Sequence, residues 1–266
     1  MSMSTRSLPL SVTTEQEITT SRVISLDITL SSYQDALDAI AQSAKRHQHG
    51  TVCFANVHMT VEAVKNPHFA QQVNSADWVV ADGVPLTWAI QALYGQRQER
   101  ITGLDFLPDL LQRAAQTGLS VFFYGSTPEV LEATVSTCRQ NYPGLIIAGV
   151  HSPPFRELTP EEDDDVVQLI TASGAQLVFV ALGCPRQEAW VNRMRNRIPA
   201  ILLAIGGALP VLAGQFNRAP RWMQQAGMEW FFRLAQEPRR LFRRYFVTNM
   251  LFTVYLMQNL LRKKLV

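Results

Sequence analysis

With 266 residues, 47% of them hydrophobic, the chain is long enough to bury one large core and a small second unit. Its net charge of +2 conceals a split: residues 215–266 hold ten Lys/Arg against Glu229 and Glu237, +8 in all, which leaves −6 for the first 214 residues. Cys53, Cys138 and Cys184 have no CxxC spacing, which argues against a disulfide framework or a zinc site and points to a reducing compartment; the absence of any run of about 18 apolar residues excludes a membrane-spanning helix.

Residues 1–21 are rich in Ser and Thr and contain no apolar segment suited to a secretion signal, so a flexible leader is expected. Arg22–Leu30 alternates like a strand or edge hairpin. Ser31-Ser32 then caps a helix through about His47, with Ala36, Leu37, Ile40, Ala41 and Ala44 on its apolar face. Val52–Asn56 reads as a strand, and a helix from about His58 to Asn74 leads to a second strand, Trp78–Ala81. That apolar run stops at Asp82-Gly83, and Pro85 follows in the first turn of a helix towards Leu93. A buried parallel strand would thereby deliver the Asp82 carboxylate to the end of a sheet, where ligands of open α/β folds sit. The alternative for an isolated Asp-Gly is a turn or a helix cap.

The second half repeats one device. The strand Val121–Tyr124 runs into Gly125-Ser126-Thr127-Pro128, the strand Leu177–Leu182 into Gly183-Cys184-Pro185-Arg186-Gln187-Glu188, and the strand Ala200–Ile205 into Gly206-Gly207. Strands ending in glycine, followed by helix starts, direct backbone N–H groups and positive dipole ends into one crevice, as a phosphate-bearing ligand requires. Taken singly, each joint is ordinary βα-loop chemistry. The alternation predicts an α/β fold: a Rossmann-like, mostly parallel sheet flanked by helices. Neither GxGxxG nor GxxxxGK[ST] occurs, so nicotinamide dehydrogenases and P-loop phosphotransferases lose support. Asp163-Asp164-Asp165 follows Thr159-Pro160 and reads as the acidic first turn of a helix rather than a metal site; no metal and no cofactor is inferred. Ser152-Pro153-Pro154-Phe155 before it is a surface loop.

Polar residues gather where the strands end: Asn56, Asp82, then Glu99-Arg100-Ile101-Thr102-Gly103-Leu104-Asp105, then Arg186-Gln187-Glu188. One carboxylate near one Arg, with Asn and Gln to orient hydroxyls, suits attack by an alcohol on a phosphate-activated carbon. For Arg100 a salt bridge with Glu99 or Asp105 is the plainer alternative.

These stretches resemble the WecG/TagA/CpsF bacterial glycosyltransferases, glycosyltransferase family 26. The likeness rests on Asn56-Val57-His58, Ala81-Asp82-Gly83-Val84-Pro85, Glu99–Asp105, Tyr124-Gly125-Ser126, Leu182–Glu188, Arg218-Ala219-Pro220-Arg221-Trp222 and Gly227–Leu234 with Glu237-Pro238-Arg239-Arg240. It covers roughly Val23 to Tyr245. The resemblance implies an inverting transfer of a hexose, typically N-acetylmannosamine, from a UDP-sugar donor. The acceptor would be polyprenyl-diphosphate-linked N-acetylglucosamine at the cytoplasmic face of the cell membrane, and the product would serve cell-surface polysaccharide. It further implies Asp82 as general base, Asn56 and Arg100 as its partners, and Gln187 as a sugar contact. With the glycine joints, the expected substrate-binding set is Thr102, Gly125, Ser126, Gly183, Gln187, Gly206 and Gly207. The family often has Thr two residues before the Asn; here that position is Phe54.

The tail completes the expectation. Arg233, Arg240 and Arg243 would share one helical face unless Pro238 breaks the helix, and the resemblance implies that such arginines hold the leaving diphosphate. Phe246–Leu261 is apolar yet carries Thr248, Asn249, Thr253, Gln258 and Asn259, and Arg262-Lys263-Lys264 follow. It is too short and polar to span but suits an in-plane helix on anionic lipid; packing on the catalytic body or on a second subunit is the alternative. The expected organisation is a leader (1–21), a catalytic α/β domain (22–214) and a membrane-associating helical appendage (215–266), on an enzyme peripheral to the inner membrane face. The competing readings are transfer of a different hexose in exopolysaccharide assembly, a soluble sugar-nucleotide enzyme such as an epimerase, and a nucleic-acid or scaffold binder using the basic tail, whose aromatics lack a recognisable nucleic-acid motif. A homo-oligomer stays open.

Overall fold

The structure, a computed structural model, describes residues 5–6 and 18–264. Residues 1–4 and 7–17 of the expected leader therefore lie outside the described residues. Its other positions are strand: β1 (Thr5–Arg6) lies antiparallel on β2 (Ile18–Val23), which pairs antiparallel with β3 (Leu26–Thr29). The alternation over 22–30 is thus one arm and the turn of a hairpin.

Six parallel strands form the main sheet: β4 (Gly50–Ala55), β5 (Trp78–Ala81), β6 (Ser120–Gly125), β7 (Ile146–His151), β8 (Leu177–Ala181) and β9 (Ile201–Ala204), in the order β5-β4-β9-β8-β6-β7. Their continuous apolar runs follow from burial on both faces. Side chains alternate, so Cys53, Ala55, Val178, Val180, Leu202 and Ala204 enter one core, while Val52, Phe54, Leu177, Phe179, Ile201 and Leu203 enter the other. The first core is covered by α2 (Val57–Lys65), α3 (Pro67–Asn74), α4 (Val84–Tyr94), α7 (Pro160–Ala172), α8 (Arg186–Met194) and the β2–β3 hairpin. The second is covered by α1 (Tyr33–Lys45), α5 (Gly103–Thr117), α6 (Pro128–Asn141) and α9 (Ala208–Leu212).

The chain leaves β4 for β5 on one side, crosses to β6 and β7 on the other, and returns inward so that β9 lies beside β4. This is a topological switch, and the carboxyl ends of the strands open there onto one crevice. Ser32 caps α1 through its side chain, which accepts from the Asp35 N–H, as the sequence predicts.

Four features differ from the sequence expectation. The helix expected over 58–74 is two: the Asn66 side chain accepts from the His68 and Phe69 N–H groups at 3.1 and 3.2 Å, and Pro67 starts α3, so cap and proline together end α2. β7 and α5 have no counterpart in the sequence reading. β7 is an edge strand whose residues are only partly covered, which blurs its alternation, and α5 begins inside the polar motif, capped by Thr102. Finally, Pro238 does break the tail: α11 (Glu229–Gln236) ends before it and α12 (Pro238–Lys264) begins on it, preceded by α10 (Arg221–Gln225).

Gly125 shows how tightly the sheet fixes its edge. It sits at φ +102°, and a Cβ there would lie 2.6 Å from the Ala181 carbonyl oxygen. Gly125→Ala is expected to cost about 2–4 kcal/mol in urea unfolding, because a side chain is both strained and wedged between β6 and β8.

Candidate active site

A cavity of about 940 Å³ opens at the carboxyl edge, lined among others by Asn56, Asp82, Arg100, Thr102, Ser126, Gly183, Gln187, Gly206, Gly207 and Arg233. One site thus brings together ten of the thirteen residues predicted to act. Gly125, Arg240 and Arg243 are the others. Gly125 serves the close approach of β6 to β8. Arg243 is exposed on α12 and does not line the cavity, and the side chain of Arg240 lies outside the described residues. Arg244, the residue after Arg243, lines the cavity instead. A helical turn begun at Pro238 sets which arginine faces inward, and the spacing from Arg233 carries no such signal across the break.

Asp82 follows β5 directly. Its N–H donates to the Ala55 carbonyl at 2.7 Å, which ties the strand end to β4, and Gly83 at φ +117° turns the chain into α4. The Asp82 carboxyl is pushed up to about 7, first by burial; Arg100 and Arg233 pull it down, while Glu229 and Asp105 push it up. Asn56 caps α2, its side-chain oxygen accepting from the Met59 N–H at 3.1 Å.

Arg100 sits in a square of alternating charge. Its guanidinium donates to Asp105 Oδ2 at 3.4 Å and to Glu229 Oε2 at 3.3 Å. Arg218 closes the figure, with Nε donating to Glu229 Oε1 at 3.3 Å and Nη2 to Asp105 Oδ1. The salt bridge from Arg100 to Asp105 that the sequence allowed is present, together with a second one to the tail. Thr102 donates to Asp105 Oδ2 at 3.1 Å while accepting the Asp105 N–H.

The glycine joints are closed internally. The Ser126 N–H donates to the Ala181 carbonyl, the Gly183 N–H to Gln187 Oε1 at 3.1 Å, and the Gly206 N–H to the Val180 carbonyl. Thr127 caps α6 itself. These three amides are engaged by protein, and side chains add positive charge at the edge. The Arg233 guanidinium lies so close over Gly207 that a Cβ there would be 2.7 Å from its NH2. Gln187, 5% exposed, spans two joints: Oε1 takes the Gly183 N–H while Nε2 donates to the Ala204 carbonyl at 3.1 Å and to Glu188 Oε1 at 2.8 Å. Burial pushes the Glu188 carboxyl up to about 7, against the hydrogen bond from Gln187.

Among the described residues no group of three or more His, Cys, Asp or Glu could hold a metal ion. Asp163 and Asp164, at the capping-box start of α7, are paired with Arg193 and Arg197.

The chain matches the model of the glycosyl transferase WecG/TagA/CpsF family over residues 21–265. It belongs to the WecG/TagA/CpsF glycosyltransferase family. A curated relative from Bacillus spizizenii, N-acetylglucosaminyldiphosphoundecaprenol N-acetyl-beta-D-mannosaminyltransferase, is 33% identical over 187 residues, 70% of this chain and 71% of the relative. This WecG/TagA/CpsF enzyme is a hexosyltransferase, and the matched span takes in every residue of the cavity described above.

The raised carboxyl carries a stability consequence. Native Asp82 keeps its proton from about pH 4 to about 7, where the unfolded chain has lost it, so its contribution to stability declines as pH rises through that window. Asp82→Asn should therefore raise the melting temperature at pH 8, by roughly 1–2 kcal/mol in stability, and give no gain at pH 4. Gln187→Ala should lose about 1–3 kcal/mol in urea unfolding, because buried groups on both loops lose their partner.

Proposed function

We propose that the enzyme transfers a hexose, N-acetylmannosamine in the first instance, from a UDP-sugar to a polyprenyl-diphosphate-linked N-acetylglucosamine, in the synthesis of cell-surface polysaccharide. The observation that carries this reading is the Asp82 carboxyl, raised in pKa, in a large cavity at the switch point of the sheet and faced by arginines; Glu188, also raised and on the same lining, is held by the Gln187 amide. The acceptor chemistry is that of the Bacillus relative's name.

In this reading the acceptor hydroxyl oxygen attacks the anomeric carbon and its proton passes to Asp82. The bond from that carbon to the diphosphate oxygen breaks, and UDP leaves with the electron pair. A base with a pKa of about 7 is suited to this task near neutral pH. Inversion follows from direct displacement, and no metal is needed where guanidinium groups offset the developing charge. In this reading Arg233 and Arg244 hold the diphosphate; the approach of Arg233 to Gly207 and the place of Arg244 on the cavity lining support it. Arg100 is shared with Asp105 and Glu229 and acts from within that square. Asn56 spends its oxygen on α2 and retains its amide protons for a substrate hydroxyl. Thr102, Ser126, Gly183, Gly206 and Gly207 line the remaining wall, with Gln187 holding the loops that carry Gly183 and Gly206 in place.

Residues 215–266 take the enzyme to the lipid. Helix α12 buries Leu241, Thr248 and Phe252 against the body. On its other side Phe242, Phe246, Met250, Val254, Met257 and Leu261 are all exposed. Their spacing of three and four residues makes a continuous outward apolar stripe, flanked by exposed Arg239, Arg243 and Arg262. This is the form of an in-plane helix on an anionic leaflet. Among the described residues no helix is long and apolar enough to cross a membrane.

Mass-spectrometric assay of a UDP-sugar panel with a short-chain prenyl-diphosphate sugar tests the reaction. Transfer should depend on the acceptor, and Asp82→Asn should lower kcat by about 10²–10⁴-fold; acceptor-independent conversion of the UDP-sugar would replace this reading with an epimerase-type one. Phe246→Asp with Met257→Asp should release the enzyme from anionic vesicles, measured by sedimentation, while leaving its melting temperature unchanged.

A further inference from the structure

Glu229 lies at the start of α11, 7% exposed, yet its carboxylate joins Arg100 of the α/β body to Arg218 of the C-terminal segment. Arg100 in turn is bonded to Asp105 and Glu229, and no hydrogen bond joins it to Asp82, although both line the same cavity wall. A guanidinium beside a catalytic carboxylate has two possible partners: if it pairs with that carboxylate, the base is weakened; if it is occupied elsewhere, the base remains available.

We propose that Glu229 is a positioning residue for the transfer reaction: carried in by the C-terminal segment, it occupies Arg100 and keeps that guanidinium from pairing with Asp82, so the base is formed only when the segment is seated. This rests on the reading of Asp82 as the base.

The charges around Asp82 support the assignment. Arg100 and Arg233 favour its ionised form, while Glu229 and Asp105 oppose it. Glu229 faces Arg100 and Arg218, and it shares the wall of a small adjoining cleft with Arg233 and Glu237. Asp105 faces Arg100, Arg218 and the Thr102 hydroxyl. Neutralising Glu229 removes one negative charge near Asp82 and frees one positive charge, so both effects act in the same direction. Loss of Asp105 acts likewise through Arg100 but leaves the bond between Arg100 and Glu229 across the two parts of the chain.

The test is a carbon-13 NMR titration of the Asp82 carboxyl in the full-length enzyme, wild type against Glu229→Gln, with Asp105→Asn as a second variant and Glu229→Asp as the charge-conserving control. The pH dependence of kcat is followed in parallel. The expected result is a titration midpoint lower by about one unit or more in both neutral variants, with the acid limb of kcat shifted down by the same amount and Glu229→Asp staying near wild type. An unchanged midpoint in folded Glu229→Gln, or in Glu229→Ala should the former not fold, overturns the inference, as does a loss of activity that is uniform across pH. A lowered midpoint with full activity in Asp82→Asn upholds the effect of Glu229 on Asp82 and removes Asp82 as the base.

Discussion

Two carboxylates and two guanidinium groups, brought from positions 113 and 129 residues apart in the chain, close into one alternating square at the cavity wall. Each charge has opposite charges on both sides, which offsets the cost of partial burial that an isolated pair would bear. Removing any one member leaves its neighbours uncompensated, so the figure behaves as a unit. Its mechanical role is to fasten residues 215–266 to the α/β body. Its electrostatic role is to fix how much positive potential reaches Asp82. The same four side chains therefore couple the seating of the tail to the state of the carboxyl.

The rest of the site divides into a rigid edge and an added wall. The edge is the row of βα joints, with amides bonded to neighbouring strands and Gln187 bridging two loops. Such loops keep their shape without a ligand, which favours preorganisation. Three of those amides, of Ser126, Gly183 and Gly206, are thereby withdrawn from a phosphate cradle. Cationic groups of α11 and α12 lie on the same cavity, with the Arg233 guanidinium laid close over Gly207. A site built in this way is complete only when residues from Arg218 onward are in place.

Helix α12 shows how one element serves two surfaces. Phe252 joins the core beside α2, and Lys263 bonds the Leu93 carbonyl and lies 4.0 Å over the Tyr94 ring, which fixes the helix along its length. Its outward stripe has no partner among the described residues. Packing on the body, one of the two readings of the amphipathic tail, takes the inward face of the helix, and the outward face is the one left for the membrane contact proposed above.

The parallel sheet, most of its strands and the placing of Asp82, Asn56 and the glycine joints on one edge were determined by the sequence alone, because unbroken apolar runs ending in Gly or Asp leave a parallel strand few alternatives. The cap at Asn66 and the edge strand β7 were hidden, since a cap is a choice among several local hydrogen-bond partners and a half-covered strand has no clean alternation. Only the tertiary structure decided that Arg100 answers to Glu229, that Arg244 rather than Arg243 lines the cavity, and that the Ser126, Gly183 and Gly206 amides are already engaged. Those outcomes depend on where a helix restarted at Pro238 docks, and on distances between residues more than a hundred positions apart, which no local pattern of side chains encodes.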